Sequence, residues 1–412
     1  MPVEADHLSI APALRLRAFV FPPHYRILQV AGSIGGIGRA RDRAWHAALG
    51  GIRMTGKAIG LCLLVGITGC KGSCLGEGAS LRCDPSAGRC ELSHDFAPIR
   101  VDPGEHIGEL CQSWSLNNPQ ELWVNQVDLK AGGGYHHSNW FFVPNTLFDR
   151  PDGAWPCAAE NFEELPAAMQ GGVLFAQSTQ ATTETQKFSE GVAVRIPPWS
   201  RVIGNTHLMN MTNEPLRTDL RLTITTIPGE SVKTKLTPFR FTYWDLHLPP
   251  RAASLFAGAC NFRAASEPVT GAPFSYKIHY VLPHYHELGR YFELSVLGGP
   301  NNGEVIYDLL GFTGKGNGKT YDPPIDMSQA DGLQFVCGYR NPSDKEVGWG
   351  LSEEMCVMFG FAESAVAFDA EVPKGGGAVV AVQDGLVINE GPCKVTALPW
   401  SQEKQGGVPP AM

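Results

Sequence analysis

The chain has 412 residues, room for two domains of ordinary size. Charged residues make up 18%, beside 47 glycines and 31 prolines, a balance that disfavours a helical cytosolic enzyme and favours a loop-rich β protein outside the cytoplasm. A net charge of -8 with no Lys/Arg run argues against nucleic acid as a partner, and eleven scattered cysteines read as a disulfide set.

Residues 1–53 are arginine-rich and carry no core pattern. Within them, Val30-Ala-Gly32-Ser-Ile-Gly-Gly36-Ile-Gly38 has the spacing of a dinucleotide fingerprint. A working fingerprint sits in a βαβ unit followed by an acidic residue, and here an apolar leader follows instead. That leader opens at Met54-Thr-Gly-Lys57, runs apolar from Ala58 to Gly66 and ends in Ile67-Thr68-Gly69-Cys70. It is too short to span a bilayer and has the length of a signal-peptide core. Small residues before a cysteine resemble the bacterial lipobox, in which Cys70 would be lipidated and become the mature N-terminus; an ordinary signal peptide or a buried helix is the alternative. On this reading translation starts at Met54, residues 1–53 are a mis-called extension and 54–69 are the signal. The mature chain then lies in the periplasm or on the cell surface and meets the membrane only through its lipid.

Cys74, Cys83 and Cys90 follow in a Gly/Ser/Asp-rich stretch, so 70–95 reads as a cysteine-rich linker. No CxxC pair is present, which favours disulfides over zinc and leaves their pairing open. From about Phe96 the pattern changes to short alternating runs, such as Glu121 to Val127, Val192 to Ile196, Leu220 to Ile227, Phe274 to Tyr280 and Ala378 to Val382. Period-2 alternation with β-branched residues between Gly, Pro and Asn predicts antiparallel strands. Only Phe162 to Met169 suggests a helical turn. The expected fold is all-β, two tandem sandwiches or jelly rolls. A boundary near 232–243 separates a first domain, 96–235, from a second, 236–400, with 401–412 as a flexible tail.

Five histidines and a methionine stand out: His136-His137, His207, His284-Tyr-His286 and Met355. Imidazoles with a thioether suit a redox metal better than magnesium or calcium. On a strand, i and i+2 share a face, so His284 and His286 can grip one ion, while Tyr285 faces away. His136 and His137 are neighbours and would point to opposite faces of a regular strand. They need a strand end or bulge, which Gly132-Gly133-Gly134 permits.

These residues lie in an order that resembles the type II copper, ascorbate-dependent monooxygenases, such as peptidylglycine α-hydroxylating and dopamine β-monooxygenases. The likeness runs from about Cys111 to Cys393. It rests on Cys111, Leu122-Trp-Val and His136-His137-Ser-Asn-Trp, then Glu190-Gly-Val with Asn205-Thr-His207. It continues in Leu248-Pro-Pro-Arg251 through Cys260, His284-Tyr-His286-Glu-Leu-Gly289 and Ser352-Glu-Glu-Met355-Cys356. The resemblance implies two jelly rolls facing a cleft and two copper ions. His136, His137 and His207 would hold an electron-supplying copper; His284, His286 and Met355 would hold the catalytic one, where oxygen binds. It further implies ascorbate or a similar reductant as co-substrate, a small-molecule substrate hydroxylated at a C–H bond, and bridges Cys111–Cys157, Cys260–Cys393 and Cys337–Cys356. This sequence departs at the positions that bind a peptide carboxylate in the amidating members: Leu282 replaces an arginine, and Val357 and Phe359 replace an asparagine and a tyrosine. A family glutamine appears as Asn205. A peptidylglycine substrate is therefore disfavoured, and an apolar or amine substrate fits better.

Two rivals share these residues: a non-enzymatic copper-binding lipoprotein for storage or delivery, and a surface-adhesion sandwich with incidental histidines. His279 reads as a packed strand histidine, His94, His106 and His247 as surface or structural. Trp140, Phe141 and Phe142 read as core. Asp95, Glu293, Glu353 and Glu354 read as solvated, although a carboxylate could orient a ligand histidine.

Overall fold

A computed structural model describes residues 78–84, 86–401, 403–404 and 406–409. Residues 1–53 with their glycine fingerprint, the segment expected as a signal peptide, Cys70 and Cys74 lie outside the described residues.

The first eight long strands are β1 Arg89–Val101, β2 His106–Ser115, β3 Leu122–Ala131, β4 Tyr135–Pro144, β5 Gly172–Ala176, β6 Val192–Ile196, β7 Ser200–Met209 and β8 Leu216–Ile227. They form one sheet in the order β1-β8-β3-β6 and another in the order β2-β7-β4-β5. Each chain step crosses between sheets or to a neighbour, which is the doubled Greek key of a jelly roll. Eight more repeat the arrangement: β9 Thr237–Tyr243, β10 Ala253–Asn261, β11 Lys277–His284, β12 Gly289–Leu297, β13 Val305–Leu310, β14 Lys319–Asp326, β15 Gly332–Arg340 and β16 Val357–Glu363. Their sheets run β9-β16-β11-β14 and β10-β15-β12-β13. The second roll is widened at β9 by Val366–Val372 and Lys394–Pro399 and at β10 by Leu386–Pro392 and Ala378–Gln383. The fold is two tandem jelly rolls, and the passage between them falls between Lys235 and Thr237.

The two rolls share a buried apolar seam. Along β16, Met358 and Ala362 point into the second core, whereas Phe359 and Phe361 pack with the first. Period-2 geometry thus explains why Val357-Met-Phe-Gly-Phe-Ala is apolar throughout: this sheet is covered on both faces. Phe188 of the first roll stacks edge-on against Phe361 with centroids 5.3 Å apart. Polar brackets flank the seam: the buried Glu184 carboxylate accepts from the Ser178 and Gly318 backbone amides, and Asn317 N–H donates to Ser178 Oγ.

All eight described cysteines are bridged, as Cys83–Cys90, Cys111–Cys157, Cys260–Cys393 and Cys337–Cys356. Four disulfides belong in an oxidising, extracytoplasmic compartment, and each stabilises by about 2–4 kcal/mol.

Two boundaries need correction. The stretch expected as a linker is folded from Ala79: Ala79–Asp84 pairs with β1 as a hairpin that Cys83–Cys90 closes. Its Gly/Ser/Asp content marked the turn rather than a loose segment. In the tail expected to be flexible, the described residues Lys404 and Val408 are tied down. The Lys404 ammonium donates to the carbonyls of Ala168, Met169 and Gly171, at the C-terminal end of the helix Glu164–Gln170, and Val408 exchanges two hydrogen bonds with Asn145. A cation is favoured at that end of a helix. A second helix, Phe262–Thr270, was not foreseen; it is capped by Asn261, whose side chain accepts from Ala264 N–H.

Candidate metal centre

β4 and β7 are neighbours in the first roll, and His137 lies directly opposite His207. The register then slips, pairing Leu208 with Tyr135, so His136 is the extra residue of a bulge. That bulge turns His136 toward the same point as His137. On its other edge β7 slips again against β2, between Thr206 and Leu208. The geometry required by two adjacent ligand histidines is therefore built from paired backbone on both sides.

The second set is assembled differently. His284 ends β11, His286 stands in the following turn, and Met355 precedes β16. Tyr285 points the other way, into the second core, where its hydroxyl donates to Gly311 O. Its ring occupies the space over Gly289: a Cβ there would lie 2.0 Å from Tyr285 Cδ2. Glu354, expected to be solvated, is buried; its carboxylate accepts from the backbone N–H of His286 at 2.9 Å and of Leu288 at 2.7 Å. It ties the methionine loop to the histidine turn. The Cys337–Cys356 bridge fixes the residue next to Met355, and Tyr339 donates its hydroxyl to Met355 O.

The structure brings all five histidines into one cluster. Ring centroids are 5.1 Å apart for His136 and His207, 5.2 Å for His137 and His207, and 5.4 Å for His136 and His137. Across the seam, His137 is 4.8 Å from His284, and His136 is 4.6 Å from His286. Two imidazoles bound ~2 Å from one ion at a near-tetrahedral angle place their centroids roughly 5 Å apart. Two groups could hold an ion, His136/His137/His207 and His137/His284/His286, with the ligand atoms of each within 4.8 Å of one another. His137 belongs to both. Met355 lines the same cavity as His137, His207 and His284.

Hydrogen bonding identifies the free ring nitrogens of the second pair. His286 Nδ1 lies 2.9 Å from Glu353 O, an acceptor only, so Nδ1 carries the proton and Nε2 the lone pair. His284 Nδ1 lies 3.2 Å from Thr179 Oγ1, and that hydroxyl already donates to Tyr285 O at 2.8 Å. His284 Nδ1 must therefore donate, and its Nε2 is also bare. The two Nε2 atoms stand 3.3 Å apart with lone pairs converging. Such a contact is repulsive unless a cation lies between them. In the first set, His136 Nδ1, His137 Nε2 and His207 Nδ1 are buried without a hydrogen-bond partner. Burial, then repulsion among the imidazoles, pushes His136 down to about 3 and holds His137 and His284 well below the usual histidine range. Burial, then His286, pushes His207 to about 4, and burial also lowers His286. The rings are neutral at pH 7, the state in which imidazole ligates.

Of the remaining residues, His106 and Thr179 add to the expected picture, whereas His279, His94 and His247 stand as expected. His106, read as structural, has its ring centroid 6.3 Å from that of His207, beside the first set. Phe141 is core but also faces the cavity. Thr179, which orients His284 from the other roll, has no sequence signature. His279 is buried on β11 and apart from the cluster, near Glu363, and His94 stacks on Trp114. His247 is exposed beside Asp245 and Glu346.

Comparison with known proteins assigns no family. No family model and no curated protein matches the chain. Among solved structures, a candidate secreted protein of Parabacteroides distasonis is 9% identical, with a TM-score of 0.20 over 70% of this chain and 93% of its own. PBCV-1 VP54, fitted into a reconstruction of the virophage Sputnik, is 7% identical at a TM-score of 0.22 over 67% of this chain and 95% of its own. The PBSX exported protein XepA is 7% identical at a TM-score of 0.16, covering 66% and 86%. Likeness at this level carries no argument about function.

Proposed function

We propose that this chain is a copper-dependent monooxygenase, related to the ascorbate-dependent type II copper enzymes, that hydroxylates a C–H bond of a small molecule using dioxygen and an external reductant such as ascorbate. The observation that carries this reading is the convergence of bare, buried ring nitrogens from both rolls, next to a thioether and an apolar cavity. Neutral imidazoles suit an ion that alternates between Cu(I) and Cu(II), and a thioether favours Cu(I). Zinc would gain little from Met355. His136, His137 and His207 would hold one copper; His284, His286 and Met355 would hold the other. Bound there, copper supplies one-electron redox chemistry and a place for oxygen.

The chain's own contribution is positional. The β4–β7 bulge aims one set, Thr179 and the Glu353 carbonyl fix the tautomers of the other, and Glu354 holds the loop that presents Met355. Phe141, Leu282 and Phe359 give the adjoining cavity an apolar wall. Lipid anchoring at Cys70 of a bacterial exported protein completes the reading. A storage or delivery protein would use the same ligands, but a cavity of about 380 Å³ beside them serves no purpose in a carrier.

The deciding experiment loads the purified protein with copper and reductant, supplies labelled dioxygen and searches candidate substrates for label. One labelled oxygen in a hydroxylated product supports the enzyme. X-ray absorption without copper–sulfur scattering in the reduced form would refute the Met355 assignment.

A further inference from the structure

The cavity beside the histidines measures about 380 Å³, at the small end of ligand sites, which run ~300–1,000 Å³. Its walls come from both rolls and from Leu398 and Trp400 near the C-terminus; Phe141, Phe175, Leu282, Trp349, Phe359 and Trp400 are among its apolar lining. Apart from the histidines, whose bare nitrogens the metal reading uses, the described polar groups lining it include two clusters bonded within themselves. Asn139 and Asn205 each donate a side-chain N–H to Glu164 Oε1, both at 3.0 Å. Each asparagine uses one of its two N–H donors to fix that carboxylate, and the carboxylate is the charged group this wall presents. On another wall, Arg240 makes a two-pronged pair with Asp369, at 2.9 and 3.1 Å. Among the described residues, the one Lys or Arg side chain lining the cavity is therefore already engaged.

We infer that this cavity binds an uncharged, hydrocarbon-bodied molecule with one hydrogen-bond donor, which it directs to the Glu164 carboxylate. As a substrate class this rests on the monooxygenase reading; as a binding site it does not. Three carboxylates, Glu109, Glu164 and Asp369, line the cavity against the single guanidinium of Arg240. An anion would meet net negative charge and no free cation. An ammonium would lose its water among aromatic walls to reach a carboxylate whose charge is shared with two amides and lies in the field of Arg240. A neutral donor gives up far less hydration for the same hydrogen bond. Leu282, Val357 and Phe359 add hydrocarbon to the lining that suits the body of such a ligand.

Four probes of one shape test this by calorimetry on the full chain without added metal: 4-propylphenol, propylbenzene, 3-phenylpropylamine and 3-phenylpropanoate. The phenol is expected to bind most tightly. Loss of its donor in propylbenzene should weaken binding about tenfold, the size of one hydrogen bond to a charged group. The amine and the carboxylate should each bind at least about tenfold more weakly than the phenol, because each must bury a charge. Glu164→Gln should bring the phenol close to propylbenzene and leave propylbenzene unchanged; should that variant not fold, the wild-type series still decides. Equal or tighter binding of the amine or the carboxylate, equal binding of phenol and propylbenzene, or no binding of any probe would overturn the assignment. Tight phenol binding without hydroxylation by the copper-loaded protein would refute the enzyme and leave the cavity assignment standing. Turnover restricted to an anionic molecule would do the reverse.

Discussion

The two rolls share one strand order but present their ligands by different means. In the first, His136, His137 and His207 sit on hydrogen-bonded strands in the middle of a sheet, and the ladder with its bulge holds them. In the second, His284, His286 and Met355 occupy a strand end, a turn and a loop, held by side chains: Thr179, Glu354 and a disulfide. The first set should therefore be preformed by the fold, whereas the second should depend on brackets that single substitutions remove. One of those brackets, Thr179, comes from the opposite roll, so the second set also depends on how the rolls are joined.

The largest effect is expected at the first set, whose His137 is common to both groups. His137→Ala should lower metal content at the first set, as should His136→Ala; a neutral ring has one lone pair for one ion, so His284, His286 and Met355 should keep theirs. Metal per chain after dialysis, with the two sets distinguished by X-ray absorption, measures this. A loss at the second set in His137→Ala alone would show that His137, rather than Met355, completes that set. Next comes the disulfide contrast. Removing Cys337–Cys356 as a Ser/Ser pair should cost about 2–4 kcal/mol in urea unfolding and release the sulfur ligand. Removing Cys111–Cys157, which pins β2 beside the first set, should cost a similar amount yet leave three-histidine binding intact, because the ladder remains. Loss of the first set in that second variant would break the distinction.

How much of this could be read from the sequence follows the same division. The jelly rolls were legible because alternating strands report their own faces, and the adjacent histidines implied a bulge because neighbouring side chains on a strand diverge. The closeness of the two sets was not legible. It depends on the seam of Phe188, Tyr280, Phe359 and Phe361, apolar residues that sequence alone could assign to either core. Glu354 and Thr179 were hidden for the same reason: a carboxylate beside a methionine, or a lone threonine, reveals its partner only when the chain is folded. The tail was misjudged because a lysine in a Gly/Pro context gives no sign that helix carbonyls await it.

Acid should weaken the metal-free protein, through both sets but more through the first. The unfolded histidines take up protons near 6.5, while burial holds folded His136 to about 3 and His207 to about 4. Between those values the unfolded chain binds more protons, so the stability present above 6.5 is lost as pH falls. Glu354 works in the opposite sense: burial raises it to about 7, so the folded form keeps a proton that the unfolded form has lost, and stability falls as pH rises from about 4.5 to 7. One carboxyl against five histidines leaves the histidines dominant. The urea midpoint should drop between pH 8 and pH 5, and His136→Ala with His207→Ala should flatten the drop. A wild-type midpoint that rises on acidification would contradict the burial of neutral imidazoles.

The smallest effect is expected at Thr179. Valine has nearly the same shape and lacks only the hydroxyl that donates to Tyr285 O and receives the His284 Nδ1 proton. Losing that pair should cost about 2 kcal/mol of stability, about 1 for each buried hydrogen bond. It should also free His284 to take the other tautomer, which places the proton on the nitrogen that faces His286. Metal affinity at the second set should then fall about tenfold, the lower end of what an orienting hydrogen bond contributes to a ligand histidine. Thr179→Ser keeps the hydroxyl and should restore the affinity. The first set, oriented by its own strands, should be unmoved in both variants. A fall at both sets in Thr179→Val, without rescue by serine, would mean that the loop holds the rolls together rather than orienting His284, and the contrast between a ladder-held and a bracket-held set would have to be redrawn.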